Sequence, residues 1–318
     1  MAALEQVSTE VGVPMHELVK SVEQGLAAAY RRAFDPPGYI TVRLNPATAA
    51  IEVTSRETLE DGSERFTRLP TEDFARMAAQ AARQAVMRHI RDLERDRAMT
   101  EVGQRRGELA SGVVDRLDRG VVFVDLGGVE GWMPPDEQIP GEEMVPGRPV
   151  TVVILEAKPS QRQAQVRVSR SSKSFVLRLL EAEVPEVAAG TVIVRAIARE
   201  PGVRTKLAVS SRDPSVDARG ACIGPKGVRH RSLLAELGGE HVDIVAYDDD
   251  PGRFVASALG PATVLGVQLD EETRTAHVEV PKDQLSLAIG KDGQNARLAA
   301  KLTGWRIDIR SGDAESQP

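Results

Sequence analysis

The chain of 318 residues has few of the residues that build covalent or membrane-anchored frameworks. Its single cysteine, Cys222, excludes an internal disulfide framework and is typical of proteins from a reducing cytosol. No stretch approaches the roughly 18 uninterrupted apolar residues of a membrane span. The first five residues have neither the basic start nor the apolar run of a signal peptide. We therefore expect a cytoplasmic protein that makes no contact with a membrane.

Patterns that indicate catalysis or metal binding are also missing. The five histidines are scattered, with no cysteine or paired acidic partner at ligand spacing. No Gly-x-x-x-x-Gly-Lys-[Ser/Thr] phosphate loop occurs, which excludes that class of nucleotide hydrolase. The sequence thus predicts no metal, no cofactor and no enzymatic activity. A ribonuclease with an unrecognised site is the enzymatic alternative.

Aromatic residues are scarce at 3% of the chain, which argues against one large aromatic-rich core. Hydrophobic residues make up 41%, enough for several small cores, and the length suggests two or three domains. The formal net charge of −6 argues against a protein that coats nucleic acid over its whole surface. Residues 195–231, however, hold nine basic and three acidic side chains, and this cluster includes Lys226, Arg229 and Arg231. It is either a phosphate-binding patch or a solvated surface.

A repeated glycine motif is the most informative feature that is present. The tetrad Gly224-Pro225-Lys226-Gly227 recurs 66 residues later as Gly290-Lys291-Asp292-Gly293. Each tetrad follows an isoleucine and precedes a helical segment with an arginine, a glycine and a closing Asp-Ile pair. An internal repeat of this length indicates one supersecondary unit used twice.

A Gly-x-x-Gly turn between two short helices is typical of the KH module, which binds about four nucleotides of single-stranded nucleic acid. Glycine suits both ends because a Cβ there would keep the sugar-phosphate backbone away from the turn. The following helix also directs its N-terminal amides at the phosphate. A lone tetrad would most often be an ordinary turn, but two in matching context favour a nucleic-acid clamp.

Helix and strand signals predict the organisation around these turns. Two helical segments, three strands and a long helix, capped by Thr71 and reaching about Arg97, occupy residues 1–106. Five short strands between residues 107 and 170 suit a small OB-type barrel. Residues 171–250 and 251–311 each read α-β-β-α-α-β, with the last strand predicted at 305–309. Residues 312–318 form a polar tail that we expect to be disordered.

Side chains in and after the two tetrads are the candidate RNA ligands. Lys226 and Lys291 supply point charges to phosphate, whereas Asp292 should weaken phosphate attraction at the second turn. Arg231 and Arg297 occupy equivalent positions, from which they reach RNA or merely cover the helix surface. Gln294 and Asn295 begin the helix after the second turn and could read base edges with their amides, although Asn295 is alternatively a helix cap. Ile223 and Ile289 either form the apolar floor of the nucleotide groove or pack in the core.

Two aromatic residues mark the predicted barrel. Phe123 lies in the middle of one strand, and Trp132 lies on the next. An exposed aromatic ring on an OB-type RNA binder stacks on a base, which is worth about 1–3 kcal/mol. The alternative is that both rings fill the barrel or a seam between domains.

An S1-type barrel followed by two KH modules of the bacterial kind resembles the NusA family of transcription factors. The resemblance is carried by long stretches of the sequence: Gly131–Gly141, Glu183–Val187, Gly220–Gly227, Ala288–Leu298 and Leu302–Trp305. It implies an α+β multidomain protein with a helical and β N-terminal domain, an S1-type OB barrel and two tandem type II KH domains.

The resemblance also implies partners. Residues 1–106 would bind RNA polymerase, and the S1 and KH domains would hold nascent single-stranded RNA, while other elongation or antitermination factors could join. The protein would act as a monomer that modulates pausing, termination and antitermination. The alternative function is an RNA-binding adaptor in ribosome assembly or translation, which would use the same domains.

Overall fold

The computed structural model describes residues 2–45, 48–158 and 165–312. It divides into two compact units, Met1–Ala98 and Met99–Pro318. Across the described ranges, none of the helices combines the length and apolar character that a membrane crossing requires.

The first unit combines helices with a three-stranded antiparallel sheet. Its elements are α1 (Ala2–Val11), α2 (Met15–Phe34), β1 (Tyr39–Leu44), β2 (Ile51–Thr58), β3 (Glu64–Leu69) and the start of α3 (Ala75–Gln104). Apolar residues recur at helical spacing in α2, so they form one buried stripe: Leu18, Val22, Leu26 and Tyr30. This stripe packs with Val53 of the sheet and with Phe74 just before α3.

The start of the long helix differs from the prediction. Thr71 makes no side-chain capping bond and is followed by a single 3-10 turn, Glu72–Phe74. The helix proper begins at Ala75 and extends to Gln104, past the predicted end at Arg97. The prediction of a capped start at Thr71 was therefore wrong. The 3-10 turn leaves Glu72 and Asp73 exposed and buries Phe74 in the core.

Five strands close into a barrel at the start of the second unit. They are β4 (Leu109–Asp118), β5 (Val121–Asp125), β6 (Glu130–Met133), β7 (Pro149–Lys158) and β8 (Gln165–Ser169), in the order β4-β5-β6-β8-β7. Alternate residues point inward, and Val122, Val124 and Met133 are fully buried in the barrel. The predicted OB-type barrel is confirmed.

Two α-β-β-α-α-β repeats follow the barrel, as predicted, and the first has one additional four-residue helix before its strands. The first comprises α4 (Lys173–Glu183), α5 (Pro185–Ala188), β9 (Val192–Glu200), β10 (Arg204–Ser211), α6 (Ala218–Ile223), α7 (Val228–Glu236) and β11 (His241–Ala246). The second comprises α8 (Pro251–Ala258), β12 (Gly266–Asp270), β13 (Thr275–Pro281), α9 (Leu285–Ile289), α10 (Gln294–Thr303) and β14 (Arg306–Gly312). In each sheet the central strand pairs antiparallel with the first strand and parallel with the last.

The carboxyl end of the second repeat extends further than expected. Strand β14 continues to Gly312, and it pairs with β13 as far as Pro281. The predicted end of this strand at 309 and the start of the tail at 312 were therefore wrong, since Ser311 and Gly312 gain a strand partner. Residues 313–318 of the predicted tail lie outside the described residues.

The two repeats share a hydrophobic core. One face of the first sheet packs on its own helices through Leu207 and Ile244. The opposite face presents Ala198 and Ala208, which pack in one cluster with α8 and α10 of the second repeat. Their small side chains allow those helices to approach the sheet closely. The first sheet is thus covered on both faces.

A buried lysine completes this junction. The Lys206 side chain is fully buried, and its Nζ atom lies 3.0 Å from Asp243 Oδ2 and donates a 2.9 Å hydrogen bond to the Gly260 carbonyl. Burial lowers the pKa of Lys206. The contact to Gly260 ties the sheet of the first repeat to the end of α8 in the second.

Candidate nucleic-acid interface

The two glycine tetrads have nearly identical backbone conformations. Gly224 and Gly290 have φ/ψ of 74°/170° and 76°/169°. Gly227 and Gly293 have 71°/23° and 72°/13°. Each tetrad joins two helices, α6 to α7 and α9 to α10, and its middle residues are exposed. The repeat seen in the sequence is therefore also a repeat in geometry.

The two glycines of each turn have different roles. A Cβ atom on Gly224 would lie 2.7 Å from Arg229 Cγ, and one on Gly290 would lie 2.8 Å from the backbone nitrogen of Asn295. A Cβ atom on Gly293 would meet nothing within 4 Å, and one on Gly227 would meet only the Arg231 guanidinium, at 3.3 Å. The sequence assigned phosphate approach to both glycines. The structure corrects this, because the first glycine is required by the protein's own packing and only the second faces open space.

This difference predicts unequal costs for alanine substitutions in the second turn. Gly290→Ala is expected to lower the free energy of unfolding by about 2–3 kcal/mol, because its φ/ψ region is accessible essentially to glycine alone. Gly293→Ala is the matched control and should cost about 1 kcal/mol, since its left-handed helical conformation is less strained for alanine. Urea unfolding of both variants measures the difference. Equal losses would contradict the separate roles.

Arg231 and Arg297, at equivalent positions of the two repeats, donate hydrogen bonds to the backbone of their turns. Arg231 Nη1 donates a 2.7 Å hydrogen bond to the Lys226 carbonyl, and Arg297 Nη1 donates a 3.3 Å bond to the Asp292 carbonyl. Both guanidinium groups therefore lie beside the third residue of their turn. The Lys226 and Lys291 side chains are exposed next to them. The structure thus brings together the cations predicted for each turn.

Two predicted RNA ligands serve the fold. Asn295 is fully buried, and its amide donates hydrogen bonds to the carbonyls of Leu259 and Ala288, at 2.9 and 3.0 Å. Arg229, its equivalent in the first repeat, donates a 2.7 Å bond to the Ala221 carbonyl and pairs with Glu186. The Asn295 amide is therefore not free to read a base, so this part of the prediction was wrong. The Arg229 side chain is 24% exposed, and its contact with RNA stays a prediction. Asn295 is not an N-terminal cap either, because it binds the carboxyl ends of α8 and α9.

Fewer basic side chains are exposed around the first turn than the nine counted in residues 195–231. The side chains of Arg199 and Lys206 are buried in ion pairs with Glu240 and Asp243. Arg204 also pairs with Asp243, at 2.8 Å. These three cations and Arg229 hold the fold together, so the exposed positive charge at the turn comes from fewer residues than the sequence indicated.

A groove lies beside the first turn, with a cavity volume of about 530 Å³. Ile223 lines it and is 36% exposed, so it faces the groove rather than the core. The opposite wall is the edge strand β11 together with residues 260–262 of the second repeat. Arg219 and His230 also line the groove, and the sequence analysis did not single out their roles. At the second turn, Ile289 is 37% exposed, like its counterpart Ile223.

Phe123 and Trp132 are neighbours on the outside of the barrel. They are paired across β5 and β6, and Arg116 and Arg167 continue the same row on β4 and β8. The Arg116 guanidinium carbon lies 3.9 Å from the centre of the Phe123 ring, and that of Arg167 lies 5.8 Å from the Trp132 ring. Both rings are half-buried. They do not fill the barrel, whose interior is aliphatic, so that part of the alternative is wrong, and packing in a seam between domains stays an alternative.

The comparisons with known proteins agree with this architecture. Models of the NusA-like first and second KH domains match residues 170–247 and 251–317. The fold and the two turns define an RNA-binding protein with an OB-type barrel and tandem type II KH domains. The chain is 43% identical to the NusA protein of Mycobacterium bovis, over 100% of this chain and 94% of that protein, and 39% identical to that of Bacillus subtilis, over 97% and 90%. The chain belongs to the NusA family of transcription termination/antitermination proteins.

Proposed function

We propose that this chain is a transcription elongation factor that binds RNA polymerase and nascent single-stranded RNA and modulates pausing, termination and antitermination. The observation that carries the proposal is the pair of exposed glycine turns with matching backbones, each with an open second glycine. Relatives that align over the whole chain are named transcription termination/antitermination proteins, which supports the transcriptional role. We further propose that it is cytoplasmic, monomeric and not an enzyme.

Each domain has a part in this proposal. Residues 1–106 bind the polymerase, residues 107–170 form the S1-type barrel, and residues 171–250 and 251–311 form the two KH domains. RNA phosphates approach Gly227 and Gly293, where the N-termini of α7 and α10 and the side chains of Lys226 and Lys291 favour negative charge. Bases then lie on Ile223 and in the groove beside β11.

The barrel would add a stacking surface to this path. A base that stacks on Phe123 or Trp132 would share the ring with the arginine beside it, and such an arginine can itself stack on a base. We propose that this row contacts RNA outside the KH footprint.

Co-purification tests the choice of partner. Tagged full-length protein incubated with lysate from its native host is expected to retain RNA polymerase, and treatment with nuclease should not release the polymerase. Retention of ribosomal components without polymerase would instead favour the translation adaptor. End-labelled RNA should stay intact during incubation with the pure protein and a divalent metal, because we propose no hydrolytic role.

RNA binding should depend strongly on salt. If about four phosphates are neutralised, a slope of about −0.7 per phosphate predicts roughly 50-fold weaker binding as salt rises from about 50 to about 200 mM. Fluorescence anisotropy with an unstructured RNA of about ten nucleotides, which spans two four-nucleotide sites, measures this slope. A flat response would contradict phosphate binding at the turns, since the slope counts the counterions that are released.

A further inference from the structure

Glu200 connects the first KH domain to the residues that follow the second turn. It is the last residue of β9, and its Oε1 atom accepts a 2.8 Å hydrogen bond from Arg297 Nε. Its Oε2 atom accepts a 2.9 Å bond from Gln294 Nε2, and Lys301 Nζ lies 3.8 Å from Oε1. The three partners lie three and seven residues apart on α10, so they share one face of that helix. This face begins at the first residue after Gly293.

The carboxylate has the chemistry of a bound phosphate. The hydrogen bonds from Arg297 and Gln294 lower the pKa of Glu200 to about 2, so it is ionised at neutral pH. It presents two acceptor oxygens to a guanidinium, an amide and an ammonium group, which are the same donors that RNA phosphates use. Its side chain is 22% exposed, so the ion pair lies at the surface, where RNA has access to it.

Among the described residues, no acid pairs with the matching arginine of the first turn, although Arg229 pairs with Glu186. Arg231 is equivalent to Arg297, yet in the described part of the chain its guanidinium is hydrogen-bonded only to the Lys226 carbonyl. Lys226 stands where the second turn has Asp292. The two turns therefore share a backbone conformation but differ in the charge that is available to RNA.

Resting on the RNA-binding function proposed above, we propose that Glu200 occupies the position of an RNA phosphate at the second turn. RNA then reaches Gln294, Arg297 and Lys301 only by displacing this carboxylate. At the first turn, RNA reaches the equivalent Arg231 without such competition. The second turn binds RNA that the first turn already holds, because tethering raises the local concentration of phosphate at the second turn. The protein would thereby discriminate against RNA too short to span both turns.

Single-turn backgrounds test this assignment. In a Gly227→Asp background only the second turn is intact, and there Glu200→Gln is expected to tighten binding of an RNA of about ten nucleotides by about five- to tenfold at about 50 mM salt. The salt slope should steepen by about 0.7 for each phosphate gained. In a Gly293→Asp background only the first turn is intact, and Glu200→Gln should leave the affinity unchanged. Glu200→Ala, which removes the side-chain acceptor as well, should give the same gain as Glu200→Gln.

Glu272→Gln is the control for net charge, because it removes an exposed carboxylate from the β12–β13 turn of the second KH domain. It should give no gain in either background. Equal gains in both backgrounds, no gain in the Gly227→Asp background, or a loss of affinity there with an unchanged unfolding transition would each overturn the proposal. Wild-type protein that binds no RNA would overturn the proposed function itself, an outcome distinct from the others.

Discussion

Replacing both Gly227 and Gly293 with aspartate is expected to weaken binding of single-stranded RNA by about 100-fold, with about tenfold from each turn, which corresponds to about 1.4 kcal/mol per site. Each new carboxylate would face phosphate across the open side of its turn. Two like charges about 4 Å apart cost about 1 kcal/mol in bulk water and more near a protein surface. The double variant should lose more than either single variant, because each turn holds a separate part of the same RNA.

The aspartate variants should still fold. Gly227 and Gly293 have left-handed helical φ/ψ, which aspartate tolerates better than most residues. Filter binding or anisotropy with an RNA of about ten nucleotides measures the affinity, and thermal unfolding checks the fold.

Gly304 provides a closely matched control for the charge and the strain. It caps the other end of α10 with φ/ψ of 74°/14°, against 72°/13° for Gly293, and a Cβ atom there would also meet nothing within 4 Å. Gly304→Asp adds the same charge in the same backbone conformation, about 15 Å away along the helix. It should leave RNA affinity almost unchanged. Normal binding by the double variant, or an equal loss for Gly304→Asp, would show that the turns are not the clamps.

Arg199→Met is expected to lower the free energy of unfolding by about 3–5 kcal/mol, because it leaves the buried Glu240 carboxylate without its cation. The two side chains are 1% and 0% exposed, and Arg199 Nη2 lies 2.8 Å from Glu240 Oε2. Arg199 Nη1 also donates 2.8 Å hydrogen bonds to the carbonyls of Arg170 and Ser172, which connect the barrel to the first KH domain. Urea unfolding of the full chain measures the loss.

Two further variants distinguish the effect of breaking the buried ion pair from the effect of losing an arginine elsewhere. Arg253→Met removes an arginine that is 74% exposed and paired with Asp248, and it should change stability little. Adding Glu240→Leu to Arg199→Met should recover much of the loss, because apolar residues often replace a buried ion pair without cost. A small effect of Arg199→Met alone, or no recovery in the double variant, would contradict this account of the junction.

Much of the fold could be predicted because its signals are local. The repeat placed both glycine turns between helices, and alternating apolar residues indicated the five barrel strands. The wrong predictions about polar side chains, in contrast, depended on distant contacts. Asn295 follows a glycine turn at the start of a helix, where an exposed position is expected, yet carbonyls of α8 and α9 surround its amide. Leu259 is 36 residues from Asn295, so no local pattern showed this burial.

The role of Glu200 at the second turn also could not be predicted from local sequence. Glu200 lies 97 residues from Arg297, on a strand of the other KH domain, and nothing around it in the sequence suggests a role at the second turn. The sheet faces of the two repeats differ in a similar way. Ala198 and Ala208 are covered by the second domain, whereas Gln268 and Glu279, at the matching positions, are exposed. Alanine at these positions marks the sheet that the other domain covers, and glutamine or glutamate marks the sheet that it leaves exposed. This comparison requires the register of the strands.

The sequence alone predicts the conformation of the two turns, because glycine at fixed spacing is what a positive φ and a close approach require. It also predicts the order of the domains. The folded structure is needed to show which basic side chains remain available to RNA. That outcome depends on whether a carboxylate or carbonyl from a distant segment neutralises each of them, as happens to Arg199, Lys206, Arg229 and Arg297. Chain folding sets such pairings through space, and the spacing of residues along the sequence does not encode them.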